Sequence, residues 1–392
     1  MLVDFWDALT LSGGYNAVVV MVGLAALGAA AGPVGAFMIL KRRPLLADAV
    51  AHATLPGVAA GFLLALVVTG DGRQPVFLLL GAALAGAAAA GAMHWLKDGA
   101  RISEDAATAA ALSVAFGIGV GLLSLIQALP TGGQAGLNAY ILGQAATMTG
   151  LEAWTTAIVG TVALILLAVF FKELSAAAFD QIQAISQGLP VRALDLLTTG
   201  LMLVLVAAGL RAVGLVLILA LLITPAAAAR FWTDRLPKLV LLAAVFGGGG
   251  AYVGGALSAA VPGLPTGALI VAILSSIFFL SLAFSPRRGA IAAAWRRLKL
   301  ARALRRRDIL QKIALGAPVM GRSARRFGWI NNLGHVTETG RNAAAQWAEE
   351  ERLRTLYLDE NPAEAGRLAA SFRPLAAFLS RDVIADLERR VR

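Results

Sequence analysis

Long apolar runs recur through the first 284 residues, and no other feature of the sequence restricts the fold as strongly. Residues 17–40, 76–93 and 213–229 are the clearest examples. A helix needs about 20 apolar residues to cross the roughly 30 Å hydrocarbon core of a bilayer. With 58% hydrophobic and only 15% charged residues, the chain has too little polar surface for an ordinary water-soluble domain. The sequence therefore predicts a polytopic membrane protein.

Clusters of Gly and Pro divide these runs into about nine helical spans. The expected spans are residues 17–40, 49–68, 75–95, 106–128, 153–171, 193–210, 212–230, 237–260 and 265–284. Small residues crowd several of them, which favours close helix packing where lipid offers no hydrophobic drive. We therefore expect residues 1–284 to form an all-α transmembrane helical bundle.

Charge divides the chain near residue 285. Residues 1–284 carry 12 Lys or Arg and 12 Asp or Glu, whereas residues 285–392 carry 22 and 11. The whole net charge of +11 therefore lies in the C-terminal part. We expect residues 285–392 to be a separate, basic, mainly helical extension. Its basic run from Trp295 to Leu315 follows the last span directly, so anionic lipid of the inner leaflet is an expected partner.

The basic residues of the membrane region are distributed unequally between its two sides. Under the expected spans, ten of the twelve fall on one side, and only Arg73 and Arg211 fall on the other. Basic loops remain in the cytoplasm, which places the N-terminus outside and the C-terminus and extension inside. Residues 138–150 are apolar but too short to span, so they are either re-entrant or lie at the outer surface.

One segment places a carboxylate and an imidazole at the start of a span. Asp48 and His52 are four residues apart, so on a helix they share one face and lie close enough to bind one ion. The alternative is structural, with Asp48 capping the second span and His52 packing beside it. The chain has no cysteine, so a metal here would have nitrogen and oxygen ligands, which suit manganese, zinc or ferrous iron. Two ligands do not complete a shell, but an equivalent pair from a second protomer would complete it.

The sequence lacks a phosphate-binding loop for ATP. None of its lysines follows a glycine, so the G-x-x-x-x-G-K-[ST] pattern is absent, and any ATP that drives transport must be hydrolysed by a partner. Residues 175–192 are the candidate docking element for that partner. Apolar residues at 179, 182 and 185 precede Gly188 and Pro190, which predicts one short amphipathic helix. The alternative is a helix that lies passively on the lipid surface.

Four stretches together resemble the metal-ion (manganese/zinc/iron) ABC permease family, over nearly all of residues 17–284. They are Arg42-Arg43 with the D-x-x-x-H-x-x-x-P-G pattern of residues 48–57, Phe179-Asp180 with residues 188–191, residues 210–230, and residues 264–267. The resemblance implies that Asp48 and His52 are metal ligands within the membrane. It also implies that the second stretch is a cytoplasmic coupling helix at the ATPase, formed by Phe179, Asp180, Ile182, Gly188, Leu189 and Pro190.

The same resemblance implies a function. The chain would be the permease subunit of an ATP-driven importer in the bacterial cytoplasmic (inner) membrane, with no catalytic residues and no permanently bound cofactor. Manganese, zinc or iron would be the substrate. The implied partners are an ABC ATPase, an extracytoplasmic metal-binding protein and a second permease protomer, identical or paralogous. Two alternatives remain open: an ion-coupled stand-alone metal carrier, and a membrane-tethered metal-responsive regulator that uses the extension.

Part of the extension resembles a second family. Residues 329–341, followed by a helical run to Leu358, are similar to the wing and next helix of metal-dependent repressors of the diphtheria-toxin-repressor type. The metal-binding side chains of those repressors are not evident in this sequence. A basic winged helix attracts DNA phosphates, but a DNA reader fixed to a membrane is unusual, so we do not expect a nucleic acid partner.

Overall fold

The computed structural model describes residues 6, 9–10, 12, 14–41, 44–72, 74–99, 102–129, 148–261, 264–319, 321–331, 333–362, 375 and 378–391. The chain divides into two compact units, Met1–Ala292 and Ala293–Arg392. We refer to them as the membrane unit and the extension.

The membrane unit is built from helices. Their bounds are α1 Tyr15–Leu40, α2 Pro44–Thr69, α3 Pro75–Gly99, α4 Glu104–Gln127, α5 Gly150–Val169, α6 Phe171–Phe179, α7 Gln181–Ser186, α8 Val191–Val213, α9 Leu215–Trp232, α10 Leu236–Ala260 and α11 Thr266–Phe284. Within the described residues, nine of these, α1–α5 and α8–α11, are long and apolar enough to cross a membrane. The predicted all-α bundle of nine spans is confirmed. Positions 138–147 of the short apolar stretch lie outside the described residues.

Most helix boundaries differ from the expected ones by a few residues, and two of the differences change where a charged residue lies. The second span begins at Pro44, five residues earlier than expected, since proline is well tolerated at the first position of a helix. The sixth span continues to Val213 and ends at Gly214, whose φ of 79° suits glycine. Arg211 therefore lies in the last turn of α8 rather than in a loop.

Close backbone contacts hold the bundle together. Helix α1 lies at its centre and packs against α5, α8, α9 and α10, while α2 packs mainly against α3 and α4. A Cβ atom on Gly28 of α1 would lie 2.4 Å from the carbonyl oxygen of Gly247 of α10, and one on Gly57 of α2 would lie 2.1 Å from that of Gly81 of α3. Only glycine permits this approach, as the small-residue runs of the sequence indicate.

The extension contains two long and two short helices and a different kind of core. Helix α12 spans Ala290–Ala314, and α13 Arg322–Arg326, α14 Glu338–Glu360 and α15 Arg381–Val391 follow. Its main cluster of buried side chains includes Leu310, Ile313 and Trp329. Ile330 and Val336 form an isolated antiparallel bridge just before α14. The bridge and α14 occupy the segment where the sequence suggests a wing and its next helix, and the winged helix itself stays a prediction.

Candidate metal site and coupling surface

Asp48 and His52 lie on one face of α2, in its second and third turns. His52 Nε2 is 3.5 Å from Asp48 Oδ1. The imidazole side chain is 29% exposed and the carboxylate side chain is 38% exposed. The two groups therefore face each other and remain accessible from outside the chain.

The capping interpretation of Asp48 is wrong. A capping side chain precedes the first helical residue and accepts a hydrogen bond from one of the free N–H groups of the first turn. Because α2 begins at Pro44, Asp48 is its fifth residue and lies beyond that turn. The carboxylate is thus placed inside a span without a capping role, where an ionisable group is costly and usually functional.

Along residues 47–62 of α2, the pair belongs to a narrow open stripe, and the positions outside the stripe are buried. Ala49, Val50 and Ala51, between the two groups, are fully buried. Positions that are at least partly exposed recur every four residues, at 48, 52, 56, 60 and 64. Such positions stack above one another on a helix, and α3 and α4 leave them partly open, although α4 approaches the stripe at His52 and Pro56. The described part of the chain therefore leaves one continuous strip of α2 uncovered, with the carboxylate and imidazole in it.

The geometry of the pair suits a metal ion. The His52 ring packs edge-on against Phe116 of α4, with ring centroids 5.7 Å apart, and this contact restrains its rotation. Bonds from zinc to nitrogen or oxygen are roughly 2.0–2.2 Å long, so donor atoms 3.5 Å apart subtend about 110° at a shared ion, close to the tetrahedral angle. No group of three or more His, Cys, Asp or Glu side chains forms among the described residues. This part of the chain supplies two ligands and not a complete shell.

Residues 171–190 form two short helices and a turn, so the prediction of a single amphipathic helix is wrong. Helix α6 ends at Phe179, and Asp180 leaves the helical conformation with φ −147° and ψ 98°. The Asp180 carboxylate accepts a hydrogen bond from the Gln183 N–H at 3.0 Å and so caps α7. The apolar spacing continues across this capping residue, which is why the pattern alone does not reveal the break.

A glycine turn ends α7 and directs the chain into α8. Gly188 has φ 79°, a left-handed conformation that favours glycine. Its N–H donates to the Ile185 carbonyl at 2.9 Å, and the Leu189 N–H donates to the Ala184 carbonyl at 3.0 Å. These two bonds are the Schellman pattern that closes a helix C-terminus. Pro190 then precedes the first residue of α8.

The two short helices separate anchoring residues from exposed ones. Leu174, Ala177 and Ala184 are buried in the core of the bundle, and Leu189 packs partly buried against it. In contrast, Phe179, Ile182 and Ile185 are 67%, 82% and 63% exposed. We call these three residues the coupling surface. Among the residues that the family resemblance places at the ATPase, Phe179 and Ile182 are available for contact, whereas Asp180, Gly188 and Leu189 shape and anchor the segment.

The structure contains an ion pair close to the coupling surface that the sequence analysis does not predict. Lys41, just after α1, has its Nζ 2.7 Å from Asp195 Oδ1 of α8 and donates to Thr198 Oγ1 at 3.0 Å. The two charged residues are 154 positions apart in the chain. One signal was available, because Asp195 is the only acidic residue of the sixth apolar run and an acid in a span requires a partner.

Comparisons with known proteins extend over most of the chain. Residues 15–285 match the family model described as the ABC 3 transport family. The manganese transport system membrane protein MntC of Bacillus subtilis is 38% identical over 294 residues, which are 75% of this chain and 66% of that protein. The zinc transport system membrane protein TroC of Treponema pallidum is 40% identical over 281 residues, which are 72% of this chain and 93% of that protein. A chain in the solved structure of PsaBC from Streptococcus pneumoniae in complex with Fab has a TM-score of 0.63 and 28% identity, covering 77% of this chain and all of that chain.

Proposed function

Because the chain belongs to the ABC 3 transport family, we propose that it is the membrane-spanning permease subunit of an ATP-driven importer for a divalent transition metal. The observation that carries this proposal is the Asp48–His52 pair, with donor atoms 3.5 Å apart on the open stripe of α2. Such a pair inside a nine-span bundle gives a cation a binding site on its way through the membrane.

The substrate is manganese, zinc or ferrous iron. A carboxylate oxygen and an imidazole nitrogen suit these ions, and the chain has no cysteine that would favour a softer metal. The relatives named for manganese and for zinc transport support the same group of metals. In this role the metal is cargo that occupies the pair during transport, so the permease has no permanent cofactor.

A second permease protomer, identical or paralogous, completes the metal site. The open stripe of α2 runs past Asp48 and His52 to Ala60 and Leu64, which are both exposed. A two-fold axis along this stripe would bring a second carboxylate and imidazole toward the first pair, because both sides of such an interface use the same patch. Two nitrogen and two oxygen atoms would then surround one ion.

A separate ABC ATPase docks on the coupling surface and hydrolyses the ATP. Three large apolar side chains, Phe179, Ile182 and Ile185, project from helices that the bundle anchors from the other side. Large apolar side chains of this kind are typical anchors of protein interfaces. The permease is not itself an enzyme, and its sequence has no phosphate-binding loop.

The orientation follows from charge. Lys41 and Arg192 lie at the same end of the bundle as the coupling surface, and basic residues concentrate on the cytoplasmic side. The protein therefore spans the bacterial cytoplasmic (inner) membrane with its N-terminus on the outer side and its C-terminal extension in the cytoplasm. An extracytoplasmic metal-binding protein delivers the ion from the opposite side.

Uptake by the reconstituted complex of permease, ATPase and binding protein tests the proposal. In Asp48→Asn and in His52→Ala, we expect uptake of manganese and zinc to fall by more than the roughly 10- to 100-fold that loss of an outer-sphere partner of a metal costs. The matched control is His94→Ala, which removes an exposed imidazole of α3. Folding and capture of metal by the binding protein should be unchanged.

The same vesicles separate the proposed importer from a stand-alone carrier. The importer moves metal only with its ATPase subunit and ATP, and dissipating the proton gradient leaves uptake intact. Uptake by the permease alone that collapses with the gradient would establish the carrier instead. Wild-type uptake in both Asp48→Asn and His52→Ala would place the ion path elsewhere.

A further inference from the structure

The end of α1 contacts both chain segments that flank the coupling surface. Phe37 packs edge-to-face against Phe171, the first residue of α6, with ring centroids 6.1 Å apart. Lys41, one turn later, reaches α8, where its Nζ lies 2.7 Å from Asp195 Oδ1 and 3.0 Å from Thr198 Oγ1. Residues four apart share one side of a helix. The end of α1 thus touches the helix that enters the coupling surface and the helix that leaves it.

The contact between Lys41 and α8 is buried and directional. The Lys41 side chain is 3% exposed and the Asp195 side chain is 23% exposed. The Thr198 hydroxyl donates to the Leu194 carbonyl at 3.1 Å, which leaves its oxygen to accept from Lys41. Because Asp195 and Thr198 are three residues apart on α8, the ammonium is held by one turn of that helix. A shift of α8 along its axis must therefore either move Lys41 or break these bonds.

Lys41 is also directly connected to the helix that carries the metal ligands. Only positions 42 and 43 separate it from Pro44, the first residue of α2. Asp48 follows one turn into that helix. Helix α2 also packs directly against α1 and against α8, so the described helices connect Lys41 and its partner on α8 to the helix of the Asp48–His52 pair.

We propose that Lys41 and Asp195 are a positioning pair that transmits movement of the coupling surface to α2, and so to Asp48 and His52. We call them the junction pair. This role rests on the proposed function and extends it, because it assigns a physical route from the ATPase-docking segment to the metal ligands. Neither residue binds the metal in this role.

A purely stabilising role does not require these charges. Apolar side chains of similar volume often stabilise a buried site as well as an ion pair does. An apolar contact, however, tolerates sliding, whereas an ammonium bonded to two oxygens of one helical turn fixes the position of α8 relative to the end of α1. We therefore expect a variant that removes both charges together to lose transmission rather than folding.

The test is the amount of metal taken up per ATP hydrolysed by the reconstituted complex of permease, ATPase and binding protein. For Lys41→Met and for Asp195→Asn, we expect ATP hydrolysis to persist and the ratio to fall about tenfold, within the roughly 2- to 30-fold range by which changes along a coupled element alter coupling. The double variant should fall no further than the stronger single one, since the two residues act as a unit. The matched control is Lys312→Met, which removes an exposed lysine 2.8 Å from Asp308.

Three results would overturn the junction pair. The first is an unchanged amount of metal taken up per ATP in Lys41→Met. The second is a proportional loss of ATP hydrolysis and uptake, which would mark a purely structural pair. The third is a double variant in which the losses of the two single variants multiply. Asp48→Asn in the same vesicles separates this inference from the proposed function. If Asp48→Asn abolishes uptake and Lys41→Met keeps the ratio, only the junction pair fails. If Asp48→Asn transports normally, the proposed metal site fails whatever the junction pair does.

Discussion

In the membrane unit, the backbones of α1 and α10 meet at Gly28 and Gly247, whereas in the extension large side chains such as Trp329 and Leu310 fill the space between helices. Lipid is as apolar as a leucine side chain, so membrane helices associate through small residues and close contact. Water, in contrast, drives large apolar side chains together. A substitution that changes side-chain size should therefore act on close backbone contacts in the membrane unit and on the burial of apolar side chains in the extension.

Lysine–aspartate pairs show the same contrast. Lys41 and Asp195 are 2.7 Å apart in the membrane unit, and Lys312 and Asp308 are 2.8 Å apart in the extension. The Lys41 side chain is 3% exposed, while that of Lys312 is 49% exposed. An exposed pair contributes about 0–1 kcal/mol, whereas removing one partner of a largely buried pair costs more because it leaves the other charge uncompensated. Bond length alone therefore says little about the importance of a pair, and burial says much more.

The largest effect is expected at the coupling surface, where the membrane unit exposes three large apolar side chains outside its spans. Replacing Phe179 with Asp puts a charge where an apolar anchor is expected, and loss of such an anchor costs about 2 kcal/mol or more of binding free energy. Co-purification of the ATPase and ATP-driven uptake should both fall, while membrane insertion is unchanged. Phe179→Leu is the control and should retain both. Normal co-purification in Phe179→Asp would assign docking to another surface.

A smaller effect on stability is expected from filling a helix contact in the membrane unit. A Cβ atom at Gly35 of α1 would lie 1.7 Å from the carbonyl oxygen of Leu222 of α9, so Gly35→Ala must push the two helices apart. Overpacking of this kind costs about 1–3 kcal/mol, which a thermal melt of the purified protein measures. Gly91→Ala makes the same change on α3 where nothing lies within 4 Å. Equal melting temperatures for the two variants would show that close backbone contact is not what holds the bundle.

The smallest effect on transport is expected from removing the extension altogether. Truncation after Arg288 keeps all nine spans, the Asp48–His52 pair and the ion pairs of Arg287 and Arg288 with Asp234, which are 3.1 and 2.6 Å long. Metal uptake by the truncated subunit should match that of the full chain. A truncated subunit that inserts and assembles but moves no metal would make the extension part of the transport mechanism, and altered metal dependence of uptake would support a regulatory role.

The nine spans could be predicted because each is an apolar run long enough to cross a bilayer, and lipid permits little except a helix for such a run. The Asp48–His52 pair was also accessible, since four-residue spacing on a helix is a local property. Local patterns did not predict where α6 and α2 end or begin, because single residues set these boundaries. Asp180 interrupts a helix without changing the apolar spacing around it, and Pro44 starts α2 before its apolar run begins.

The junction pair could not be predicted from local pattern. Lys41 and Asp195 are brought together only when α1 and α8 pack. Lys41 is one of several basic residues on its side of the membrane, so sequence analysis assigns it to topology alone. Long-range partners of this kind require the packed bundle, even when the presence of an acid in a span signals that a partner must exist.

X-ray absorption spectroscopy of zinc bound to the permease–ATPase complex, prepared without the binding protein, tests the central claim most directly. The wild-type complex should show a shell of nitrogen and oxygen atoms at roughly 2.0–2.2 Å, with the multiple scattering typical of imidazole. His52→Ala should remove the imidazole signal and lower the zinc content per protomer, while His94→Ala should change neither. An unchanged spectrum and zinc content in His52→Ala would contradict the assignment of the Asp48–His52 pair as the metal site.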